Sequence, residues 1–117
     1  MIDIIFLKVE ASGNDFILID NLYKKYNIDY CNFAVIACNR HKGIGADGLL
    51  ILEPTEIADF KMRYLNSDGS EGGMCGNGGR AIAMYASHLL GKENLSFEAL
   101  NHIYTAEVKQ NRVSIRV

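Results

Sequence analysis

At 117 residues the chain has the length of a single domain and is short for an enzyme that closes a cleft between two lobes. Apolar residues make up 49% and charged residues 22%, the balance of a soluble globular domain, which excludes a disordered or fibrous chain. A formal net charge of −2, with no basic stripe and no interleaving of basic with aromatic residues, argues against nucleic acid as a partner, and no apolar run approaches a membrane span.

The opening segment MIDIIFLKVE has no cationic region followed by a small-residue cleavage site and reads as a first strand rather than a signal peptide. Three cysteines without a regular spacing argue against a disulfide-stapled secreted domain, so a cytoplasmic protein is expected. Ile4 to Val9 and Phe16 to Ile19 flank turn chemistry at Gly13-Asn14-Asp15, which predicts a hairpin whose loop carries Asn14. Asp29 is placed to cap a helix running to about Arg40, where Arg40, His41 and Lys42 suit the negative helix end and Gly43 supplies the stop.

Leu49 to Leu52 reads as a buried strand ended by Pro54. Phe60, Met62 and Tyr64 alternate with Lys61 and Arg63, the period of a strand with one buried face, and Asn66-Ser67-Asp68-Gly69 follows as its turn. From Arg80 to Leu90 the residues are apolar on almost every side, with Ala81, Ala83 and Ala86 suited to close packing, which predicts a central buried helix ended by Gly91. Leu95 to Ala99, Ile103 to Val108 and the alternating Val113, Ile115 and Val117 read as strands, with Gln110-Asn111 as the last turn. The final residue continues an apolar alternation with no closing turn or cap, so a truncated chain is expected.

The segment from Asn66 to Arg80, NSDGSEGGMCGNGGR, sets one cysteine among six glycines. Glycine loses the most backbone freedom on folding, so such a run needs either a severe backbone path or close approach of a ligand. Cys75 precedes Gly76-Asn77-Gly78-Gly79 and then the predicted helix, where free N–H groups and the positive end of the helix dipole stabilise a thiolate. The same Gly76 and Asn77 amides could hold a substrate carboxylate. Asn14 and Asn66 each sit in a tight turn after a strand, where asparagine is at home for purely local reasons; as site residues they offer donor and acceptor together.

Three other patterns carry less. Gly43-Ile44-Gly45-Ala46-Asp47-Gly48 satisfies G-x-G-x-x-G but follows a helix and precedes a strand, the reverse of a dinucleotide fingerprint. Cys31 and Cys38 lie seven residues apart, two turns along one helix face, and are expected to pack in the core. His41 and His88 form no metal-ligand spacing with the cysteines, and His88 is expected to be a core histidine.

Gly13-Asn14-Asp15-Phe16, Gly43-Ile44-Gly45-Ala46-Asp47-Gly48 and Asn66-Ser67-Asp68-Gly69-Ser70-Glu71 leading to Cys75-Gly76-Asn77-Gly78-Gly79-Arg80 together resemble the diaminopimelate epimerases, in order and spacing, over essentially the whole chain. The resemblance implies an α+β domain, a mostly antiparallel curved sheet or barrel wrapped around a central buried helix. It also implies a reaction that needs neither metal nor pyridoxal phosphate, in which one cysteine takes the α-proton of diaminopimelate and another returns a proton to the opposite face. Cys75 matches the cysteine of the first domain, the backbones of Gly76 and Asn77 would hold the carboxylate, and Asn14 and Asn66 would contact substrate. Gly48 stands where some members carry a substrate-contacting glutamine.

By the same resemblance, residues 1–117 form one domain equivalent to the N-terminal half of a two-domain epimerase, and the second cysteine is missing. The isolated chain is then an inactive half-site in lysine and peptidoglycan biosynthesis. A racemase acting on proline-like substrates is a second enzyme reading, and a non-catalytic binding or regulatory module is a reading of another class. A homodimer presenting two Cys75 thiols to one substrate is a third arrangement.

Overall fold

A computed structural model describes residues 3–116. In chain order the elements are β1 (Leu7–Ala11), β2 (Asn14–Asp20), α1 (Tyr30–Ala37), β3 (Gly48–Glu53), β4 (Phe60–Asn66), β5 (Glu71–Gly72), α2 (Gly76–Leu90), β6 (Asn94–Ala99), β7 (His102–Lys109) and β8 (Arg112–Arg116). The strands form one sheet in the order β1-β2-β3-β4-β6-β7-β8, with β5 pairing beside the end of β4. Pairing is antiparallel except at β2–β3 and β4–β6, which are parallel. The sheet curls as a half-barrel around α2, and α1 covers its other face.

Side-chain alternation explains the two layers. Phe16, Leu18, Leu50, Leu52, Phe60, Met62 and Phe97 point toward Ile82, Ala83 and Ala86 of α2. Ile17, Ile19, Leu49, Ile51 and Leu65 point the other way, against Ala34 and Ala37 of α1. Strands β2 and β3 are therefore buried on both faces, which is why they read as continuous apolar runs rather than alternating ones.

The first hairpin is tighter than expected. Ser12 and Gly13 alone make the turn, both at positive φ (51° and 89°), so Asn14 is the first residue of β2, opposite Ala11, and not a loop residue. Leu100 and Asn101 make a similar turn between β6 and β7, and Gln110 turns the chain into β8 where expected. Val117, expected to be the last strand residue, lies outside the described residues.

Helix α1 begins at its expected cap, the Asp29 side chain accepting from the Asn32 N–H at 3.2 Å. Asp29→Ala should lower stability by about 1 kcal/mol, read as a fall in urea midpoint with unchanged slope. The helix ends at Ala37, three residues before Arg40, because the following loop folds back and donates Gly45 N–H to Ala37 O (2.9 Å) and Ala46 N–H to Cys38 O (3.1 Å). That loop covers Cys38, which is buried. Cys31, in the first turn of the helix, points outward and is exposed, so the expectation that both cysteines pack in the core is corrected.

Helix α2 starts four residues before Arg80, with Cys75 as its N-cap, and ends at Gly91 in the left-handed conformation (φ 68°). It is enclosed on one side only. The edge strands β1 and β8 do not meet, leaving a groove of about 600 Å³ lined by Val9, Ala11, Met84, Tyr85, His88 and Val113. His88 opens into that groove and is exposed, not a core histidine, and Leu89 is also exposed.

Candidate active site

The sheet register gathers the motifs at one end of the curl. Gly48 pairs with Phe16 on β2 and with Asn66 on β4, so the three lie abreast on the face that meets α2. Asn14 lies two residues before Phe16, and Tyr64 two residues before Asn66, on that same face. The N-terminus of α2 sits over this end: a Cβ on Gly78 would come within 3.0 Å of Leu50 Cδ2 and 3.5 Å of Cys75 Sγ. Glycine at 78 therefore lets the helix start lie directly on β3.

Cys75 is half-buried, and its Sγ accepts from the Gly78 N–H at 3.4 Å. The Gly79 N–H bonds Cys75 O at 2.6 Å. Gly76 and Asn77 are the first two helical residues, whose N–H groups have no carbonyl to reach inside any α-helix. Thiol and free amides thus share the positive end of α2, an arrangement suited to an anion held beside a sulfur.

Asn77 has its side chain committed inside the protein. Its Nδ2 donates to Asn14 Oδ1 at 2.6 Å, and its Oδ1 accepts from the Arg80 guanidinium. Asn14 in turn donates from Nδ2 to Asp47 Oδ2 at 3.1 Å, which fixes the orientation of both amides. What Asn77 has left for a ligand is its backbone N–H. Asn66 is on the right face and end of the sheet, but its side chain bonds Ser70 Oγ (3.1 Å) within its own turn.

The chain of contacts continues through groups that the sequence reading did not select. Arg40, expected to serve a helix end, instead forks onto Asp15 (2.8 and 3.2 Å) and reaches Asp47 (3.1 Å), while Lys8 meets Asp15 at 3.1 Å. Arg40 foremost, with Lys8 and the Asp47 N–H, holds the Asp15 carboxyl well below the usual carboxylate range despite its partial burial. A depressed acid stabilises the fold above its unfolded value, so this contribution should fade as pH falls below about 4. Urea unfolding across that range should show the loss, and Arg40→Gln should flatten it.

The segment Gly43–Gly48 leads from α1 into β3, helix before strand as expected and the reverse of a dinucleotide-binding fingerprint. Among the described residues no group of three or more His, Cys, Asp or Glu side chains is placed to hold a metal ion, and no helix is long and apolar enough to cross a membrane.

The sequence profile of the family described as Diaminopimelate epimerase matches residues 6–117. The chain belongs to the diaminopimelate epimerase family. The Diaminopimelate epimerase of Clostridium acetobutylicum is 42% identical over 114 residues, covering 95% of this chain and 34% of that protein. The one from Caldanaerobacter subterraneus is 46% identical over 105 residues, covering 88% of this chain and 37% of that protein. The chain thus spans little more than a third of these epimerases.

Solved structures agree at the level of fold. A Bacillus anthracis phenazine biosynthesis protein of the PhzF family superposes with a TM-score of 0.73 at 22% identity, over 98% of this chain and 40% of that one. A methylitaconate-delta-isomerase gives 0.61 at 15% identity, over 92% of this chain and 63% of that one. The curled sheet around a helix expected from the epimerase resemblance is the fold found.

Proposed function

We propose that the chain is the first lobe of a cofactor-independent diaminopimelate epimerase and contributes one of the two proton-transfer groups. The observation that carries this reading is the meeting of Cys75, the free Gly76 and Asn77 amides and Asn14 at the start of α2, with Asn66 at the same sheet end. As thiolate, Cys75 takes the proton from the α-carbon. The C–H electron pair stays on carbon and spreads into the α-carboxylate, whose growing charge the two amides receive.

A thiol on the opposite face then gives its proton to the α-carbon, which inverts the centre, and the two sulfurs exchange roles in the reverse direction. That second thiol belongs to a lobe beyond residues 1–117. Two copies of this chain would be another source, each presenting Cys75. A reaction run by free thiols also suits a reducing compartment, the cytoplasm, and all three cysteines are unpaired.

The test is titration of isotope-labelled chain with meso-diaminopimelate. Amide shifts confined to Gly76, Asn77, Asn14 and Asn66 are expected at millimolar ligand; shifts elsewhere, or none at saturation, would exclude the site. Exchange of the substrate α-proton that grows with the square of protein concentration would report pairing of two copies.

A further inference from the structure

Tyr64 lies on the face of β4 that carries Asn66, in a space that only glycine neighbours leave open. A Cβ on Gly48 would stand 2.5 Å from Tyr64 Cε1 and 3.1 Å from its hydroxyl; one on Gly72 would stand 2.7 Å from Cδ2. Gly48 is on β3 and Gly72, opposite Tyr64, is on β5, so the ring lies in a slot with a glycine at each wall. Phe16 closes the third side edge-on, its ring centre 6.1 Å away. These three neighbours restrict where the half-buried ring can swing.

The hydroxyl sits at the Gly48 end of the slot, beside the site. Among the described residues it makes no hydrogen bond and is open to solvent, whereas the side chains of Asn14, Asp47, Asn66 and Asn77 at this end of the sheet are all paired. A phenol carries its proton at neutral pH and can donate, and burial, with Cys75 after it, pushes the ionisation of this one further up. A solvent-open phenol donor at the sheet end that carries Asn14 and Asn66, close enough to Cys75 to feel its charge, is placed to meet an acceptor held at the start of α2.

We infer that the Tyr64 hydroxyl donates a third hydrogen bond to the substrate carboxylate held by Gly76 and Asn77, and that Gly48 and Gly72 are glycine to make room for its ring. This rests on the proposed reading of the site as a carboxylate-binding half-cleft. It also gives Gly48 a role of its own: the wall position is left empty so that a side chain from the next strand can supply the polar contact.

The experiment compares two alkylating reagents at Cys75, iodoacetate with a carboxylate and iodoacetamide without one, using mass spectrometry of the Cys75 peptide so that reaction at exposed Cys31 does not interfere. The unsubstituted chain should prefer iodoacetate. Tyr64→Phe, which keeps the ring and the fold, should cut the iodoacetate rate by roughly three- to tenfold and leave iodoacetamide unchanged. Gly48→Ala, which displaces the ring, should cause a similar loss, and the double variant should lose no more than either. An unchanged ratio in Tyr64→Phe would overturn the role of Tyr64 while leaving the amide site standing. No preference for iodoacetate in the unsubstituted chain would overturn the carboxylate site itself, and this inference with it.

Discussion

Replacing Cys75 by serine should abolish α-proton exchange from diaminopimelate, by at least about 10³-fold, while leaving the chain as stable as before or more so. The two effects separate because Cys75 has two jobs. Its Sγ caps α2 by accepting from the Gly78 N–H, and it is the proposed base. A serine hydroxyl is a better cap and a far weaker base, so Cys75→Ser removes only the chemistry. Cys75→Ala removes both and should also lower stability by about 1 kcal/mol. Exchange is followed as deuterium entering meso-diaminopimelate in deuterated buffer, with the chain at high concentration or fused ahead of the second lobe of a family member. Residual exchange in Cys75→Ser at a tenth or more of the unsubstituted rate would remove Cys75 from the reaction.

Much of the fold is legible in the residues because local chemistry and periodicity agree. Asp29 caps where it should, Gly91 stops α2 in the left-handed conformation, and the alternation at Phe60, Met62 and Tyr64 marks the face of β4 turned to α2, although Leu65 on the other face is buried too. The errors share one cause. Whether Cys31 or His88 is covered depends on a loop returning over one end of α1 and on two edge strands that fail to meet over α2, and neither is written in helical spacing. The two-residue strand β5 is too short to carry a period.

The candidate site divides in the same way. Cys75, Gly76 and Asn77 are visible because they are contiguous and glycine-flanked, so chain order alone puts them on one helix start. Asp47, Arg40 and Tyr64 join them only through register: Asn14 and Asp47 are 33 residues apart in sequence and bonded in space, and Arg40 reaches Asp15 across 25. A charged residue after a helix reads as a helix-end cation until the strand pairing brings an aspartate to it.

That dependence makes the loop from Cys38 to Asp47 a brace for the site, and Gly43→Ala should be the most damaging single methyl group in it. The added Cβ would fall 2.2 Å from Ile36 O and 2.7 Å from Ala37 O, both backbone atoms at the end of a helix whose sheet-facing side is buried. Neither carbonyl can swing aside as a side chain would, so the loop must lift. The expected cost is about 3 kcal/mol, at the upper end for overpacking. Gly13→Ala is the comparison: its φ of 89° is strained for alanine, but nothing lies within 4 Å of the new Cβ, so about 1 kcal/mol is expected. Lifting the loop also draws Asp47 away from Asn14, whose Oδ1 anchors Asn77 at the start of α2. Gly43→Ala should therefore speed hydrogen exchange at the Asp47 amide, now bonded to Asp15 O at 2.9 Å, and Gly13→Ala should not. Equal urea midpoints for the two variants would mean that the loop yields freely and that the Asn14–Asn77 link holds without it.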